Sequence, residues 1–62
     1  MMIYHIFTDN RDEFRESLEE AKQLFYKYID EHGKACLYQN EENEDGETLS
    51  EDCIESYGDF PL

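Results

Sequence analysis

Positive charge is scarce in this chain: five Lys plus Arg stand against seventeen Asp plus Glu among 62 residues, a formal charge of −12 with both His neutral. A surface so poor in cations is repelled by phosphates, so direct binding of nucleic acid is not expected. Long apolar runs are lacking too. No stretch approaches the ~18 residues of a membrane helix, so no membrane association is expected. The start, Met1-Met2-Ile3-Tyr4-His5, shows neither a basic n-region nor a long apolar stretch, so no secretory signal is read there. Two cysteines, Cys36 and Cys53, are too few for a disulfide scaffold, and a reduced, cytoplasmic protein is the expectation. Gly33, Gly46 and Gly58 are isolated, so there is no phosphate-cradling loop.

What the chain does have is aromatic residues. Five Tyr and four Phe, with no Trp, supply the most buried area per residue, and a chain this short needs it to form a core at all. The mean hydropathy of −0.91 points the other way, toward disorder; the periodicities below favour one folded domain over residues 1–62. A deep catalytic cleft is not expected at this size. Nothing marks an activated nucleophile, and carboxylate pairs are too numerous for any one to signify. The chain is therefore read as a non-enzyme.

Residues 2–8 are rich in β-branched and aromatic types and predict a strand with Ile3, His5 and Phe7 on one face and Tyr4, Ile6 and Thr8 on the other. Both faces are partly apolar, as in a central strand. A helix is predicted over about residues 11–32. Thr8, Asp9 and Asn10 can cap it, Asn10 and Glu13 have capping-box spacing, and Gly33 supplies a left-handed stop. At 100° per residue Phe14, Leu18, Ala21, Leu24, Phe25, Tyr28, Ile29 and His32 form its apolar stripe, with Tyr26 off that stripe. From Lys34 the period becomes two: a strand over 34–40 sets Ala35, Leu37 and Gln39 against Cys36 and Tyr38. Asp45-Gly46 signals a hairpin turn, and a broken returning strand lies within 47–56. The fold class is thus α+β, strand-helix-strand-strand, one helix packed on a three-stranded sheet, with the acidic hairpin and tail spanning 34–62. The strand after the helix is open to a parallel crossover. The apolar side chains of 57–62 are positioned to lap over the sheet edge.

Charge is segregated along the chain. All five bases lie between Arg11 and Lys34, whereas residues 35–62 carry nine acids and no base. Clustered carboxylates repel one another and oppose compaction. The functional reading is that Glu41, Glu42, Glu44, Asp45, Glu47, Glu51, Asp52, Glu55 and Asp59 form a carboxylate-rich face for a positively charged protein surface. In its concrete form the chain is a nucleic-acid mimic that inhibits a DNA- or RNA-handling protein, with electrostatically steered binding. Tyr26 and Tyr57 are candidate aromatic anchors. Against this stand a purely solubilising role and internal neutralisation of the hairpin by Arg11, Arg15 and Lys22. Two alternatives remain: a structural or regulatory subunit, as a homodimer for instance, that uses aromatic surface, and a weak divalent-cation binder. The latter rests on a degenerate calcium-loop match, with Glu41, Asn43, Asp45, Gly46 and Asp52 at positions one, three, five, six and twelve. Cys36 and Cys53 face each other if the hairpin loop is 43–46, with burial the expected state; His5 and His32 have no ligand spacing with them. No metal or cofactor is expected.

Overall fold

The computed structural model describes residues 1–58. Asp59, and with it the predicted lapping of the last residues over the sheet edge, lies outside the described residues. The elements in order are β1 (Met2–Phe7), β2 (Asp12–Arg15), α1 (Leu18–His32), β3 (Ala35–Glu42) and β4 (Thr48–Tyr57). One helix packs on a four-stranded sheet of order β2-β1-β3-β4, and every neighbouring pair is antiparallel. The α+β class and the single covering helix match the expectation. The sheet has one strand more than expected, and the connection through the helix returns antiparallel.

The extra strand comes from residues assigned to the helix. Thr8-Asp9-Asn10-Arg11 is a turn, closed by the Thr8 amide donating to the Arg11 carbonyl at 2.9 Å; Asp and Asn favour turns by the same local hydrogen bonding that makes them N-caps. The chain then pairs back on β1, with Tyr4 opposite Arg15 and His5 opposite Phe14. The helix begins seven residues later than predicted, at Leu18, where the Ser17 hydroxyl accepts from the Glu20 amide. Ser17 and Glu20 have capping-box spacing, and they outcompete Asn10 and Glu13 because a Ser cap followed by an acidic first turn precedes an uninterrupted apolar period. Ser17→Ala should therefore cost about 1 kcal/mol in a urea melt, and Asn10→Ala clearly less; equal effects would refute the later helix start.

The core lies between α1 and one sheet face. Ala21, Leu24, Phe25 and Tyr28 bury against Ile6, Ala35 and Leu37, with Tyr4 and Ile29 packed at the margin. Alternation explains the sheet side: Tyr4, Ile6 and Thr8 of the first segment and Ala35 and Leu37 of β3 point to the helix, as the two-residue period required. The helix stripe is shorter than predicted, because Phe14 is not on the helix, Leu18 is exposed and His32 lies at its exposed end. Gly33 stops the helix with φ of 78° and donates to the Ile29 carbonyl at 2.8 Å, a conformation that a Cβ would penalise. Thr8 then ties β1 to the start of β3 by donating to the Lys34 carbonyl at 2.8 Å.

The opposite sheet face carries a ring series. His5 stacks on Phe14 at 4.4 Å and 9°, and Phe7 lies 5.2 Å from His5 and 5.6 Å from Tyr38. This contact explains why Phe14 prefers the strand: its ring lies against His5 across the non-helical face. On the helix side the Tyr28 hydroxyl donates to Glu13 at 3.0 Å. That hydrogen bond first, and Arg15 second, hold the Glu13 carboxyl below its ordinary value, while burial first and Glu13 second push the Tyr28 hydroxyl up. A carboxylate with a depressed folded pKa adds stability that is present above its unfolded value and lost as pH falls through the folded one. In Tyr28→Phe the Glu13 carboxyl should thus titrate closer to an ordinary glutamate, and less stability should be lost on acidification through the carboxylate range. Side-chain carbon shifts of Glu13 followed by NMR check this; an unmoved midpoint refutes it.

Candidate acidic interface on the hairpin edge

β3 and β4 form the hairpin that carries the acids. Its tip is organised by Asn43, whose side-chain oxygen accepts from the Asp45 and Glu47 amides at 3.0 and 2.9 Å. The Gly46 amide donates to the Asn43 carbonyl at 3.1 Å, with Gly46 at φ of 84°. The predicted Asp-Gly turn is therefore present. Of the cation-loop residues, Asn43, Asp45 and Gly46 lie in this tight turn while Glu41 and Asp52 are paired in β3 and β4, and the oxygen of Asn43 is already engaged by two amides. Among the described residues no group of three or more His, Cys, Asp or Glu is arranged to hold a metal ion.

Two irregularities shift the ladder. Leu37 pairs with Glu55 but Tyr38 with Cys53, and Glu41 pairs with Ser50 but Glu42 with Thr48, so Ile54 and Leu49 are the extra residues of two bulges. The register corrects the cysteine expectation: Glu42 pairs with Thr48, so the loop is 43–47 and not 43–46, and the two bulges shift the ladder further, so that Cys36 lies opposite Ser56, not Cys53. Cys36 is buried as expected and Cys53 is exposed. Burial first, and the neighbouring Cys53 second, push the Cys36 thiol up, which leaves it a poor nucleophile.

Residues directly opposite on a ladder share a sheet face, and this places the carboxylates. Glu55 and Asp52 lie opposite Leu37 and Gln39 on the helix side, together with Glu41; Glu51 lies opposite Asn40 on the other side. Glu44, Asp45 and Glu47 are exposed at the tip. The acids thus do not occupy one face of the sheet: Glu51, Asp52 and Glu55 lie on both sides of β4, Glu41 and Glu42 end β3, and the rest crowd the tip. Every residue of β4 is exposed. Tyr57 stands at the far end of this strand, 56 % exposed, whereas Tyr26, 57 % exposed, sits on the helix apart from the hairpin.

Among the described residues no ion pair joins Arg11, Arg15 or Lys22 to the hairpin acids. The ion pairs there are His5–Asp12, Arg15–Glu13, Lys27–Glu31 and Lys34–Asp9, and none reaches Glu41, Glu42, Glu44, Asp45, Glu47, Glu51, Asp52 or Glu55. Strand order is the reason. Arg15 is part of β2, at the opposite edge of the sheet from β4, about 14 Å away at ~4.8 Å per strand, and Arg11 lies in the turn that leads into it. Eight carboxylates occupy residues 41–55, with the Met1 ammonium held on the Glu42 carbonyl at 2.9 Å, over a hairpin on the order of 30 Å long at ~3.3 Å per residue. Their line density is roughly one charge per 4 Å, close to the ~3.4 Å per charge along one strand of DNA and about half that of a duplex.

Compared with known proteins, the chain matches no family model, and no curated protein and no solved structure is significantly similar to it. No helix among the described residues is long and apolar enough to cross a membrane.

Proposed function

We propose that this protein is a small binding module whose acidic β3–β4 edge engages a positively charged protein surface. In its most concrete form it occupies the nucleic-acid site of a DNA- or RNA-handling protein and inhibits it. The observation that carries this reading is the set of eight carboxylates over residues 41–55, gathered on the β3–β4 hairpin and its tip and left without Lys or Arg partners among the described residues. A solubilising role requires only that acids be exposed; it does not require that bases be kept away from them. Charge density close to that of a single nucleic-acid strand favours competition for a single-strand channel over that for a duplex cleft. The test is capture on the immobilised chain across a salt series. Partners should be lost steeply, by roughly tenfold or more from low to physiological salt, and added single-stranded nucleic acid should displace them. Capture that is indifferent both to salt and to nucleic acid overturns the reading.

A second reading, a structural or regulatory subunit that uses aromatic surface, is favoured by one observation: Phe14, stacked on His5, remains 52 % exposed. Sedimentation at micromolar concentration separates the homodimeric form of this reading from the first, because a monomer whose captured partners are salt-sensitive leaves no role for an aromatic dimer face.

A further inference from the structure

We infer that the partner's recognised element is an extended basic segment that adds to the sheet alongside β4 as a fifth strand. This inference rests on the acidic-edge reading and deepens it by specifying the backbone conformation of what binds. Among the described residues β4 is the long outer edge of the sheet: it is last in the order β2-β1-β3-β4, ten residues long and exposed throughout. The helix core draws on β1 and β3 and not on β4. An edge strand offers a row of backbone donors and acceptors to an incoming chain. The other edge, β2, is only four residues long.

Charge selects the occupant. Because Asp52 and Glu55 point to one side of the sheet and Glu51 to the other, a chain laid against β4 meets carboxylates on both of its own faces. Lys and Arg at alternate and at adjacent positions would satisfy them. A second copy of β4 would instead set carboxylate against carboxylate, a destabilising pairing. The bulges at Leu49 and Ile54 leave the stretch Ser50–Cys53 regularly paired on β3, and this stretch is the expected centre of strand addition. Leu49, Ile54 and Tyr57 are 60, 39 and 56 % exposed on the same strand and offer apolar contact between the charges.

The experiment uses the full chain, isotope-labelled, with two synthetic decapeptides of Lys/Arg and Val/Thr whose basic residues stand at both alternate and adjacent positions. The peptides are identical in sequence and charge, but one is methylated at every backbone nitrogen. The unmodified peptide should bind at least tenfold more tightly and should slow hydrogen exchange of β4 amides while leaving β2 unchanged. Equal binding of both peptides overturns strand addition and leaves the acidic-edge reading intact. Failure of both to bind at low salt overturns the two together. A peptide-free dimer that strengthens as salt is raised, with β4 amides protected, overturns the proposal in favour of a second copy.

Discussion

Replacement of Glu44, Asp45, Glu47 and Glu51 by Lys should abolish salt-sensitive partner capture, with a loss on the order of 100-fold or more, and leave the fold intact. The four changes move the formal charge by eight units, from −12 to −4. They place cations where a basic partner needs anions, so attraction becomes repulsion over distances comparable with the ~8 Å screening length at physiological salt. The fold should survive because all four side chains are exposed and none has an ion-pair partner among the described residues. What Asp45 and Glu47 contribute to the turn is their backbone amides, which donate to Asn43 and remain after substitution. Relief of like-charge repulsion should even raise the melting temperature at low salt. Circular dichroism separates loss of binding from loss of structure. A folded variant with undiminished capture removes the acidic edge from the function and directs attention to exposed aromatics such as Tyr26 and Phe14.

The largest stability effect is expected at Phe25. Its ring is 1 % exposed and lies in the cluster with Ile6 and Leu37, both fully buried. Truncation to Ala in a well-packed site costs about 3–5 kcal/mol, whereas a chain of this length has only about 3–9 kcal/mol in total. Phe25→Ala should therefore unfold partly or wholly at 37 °C, as a melting curve would show. Phe14→Ala provides the contrast. Had Phe14 belonged to the helix stripe, its loss would rival that of Phe25; half-exposed on β2, it should cost about 1 kcal/mol, the worth of a cross-strand ring contact. Comparable losses at the two positions would contradict the short helix and the fourth strand together.

The elements that could be read directly from residues are those with a strong local signal. β1 declares itself by β-branched and aromatic content on both faces, and it is indeed internal to the sheet. Gly33 and Gly46 mark the helix stop and the hairpin turn because both positions need positive φ, which glycine adopts without strain. β2 has no such signal. Asp12-Glu13-Phe14-Arg15 contains a single apolar side chain, too few for a period of two to show, and Phe14 falls at helical spacing from Leu18. Its strand identity is decided by distant partners: pairing with β1, the His5 ring and the Tyr28 hydroxyl. The Ser17–Glu20 cap was a legible sign that the helix starts late, but the Asn10–Glu13 spacing competes with it as long as the turn at 8–11 is unknown.

For the candidate site the division is similar. The sequence alone determines that the distal half holds carboxylates without cations, because this is a matter of linear order. It also determines which side chains of β3 turn inward, because alternation along a strand is a local geometric property. Only the tertiary structure decides that these acids are spread over the hairpin tip, the end of β3 and both sides of β4 instead of covering one face, and that Arg11 and Arg15 are held at the far side of the sheet. Strand order and bulge positions arise from long-range pairing and from burial against the helix, which no short window of residues encodes.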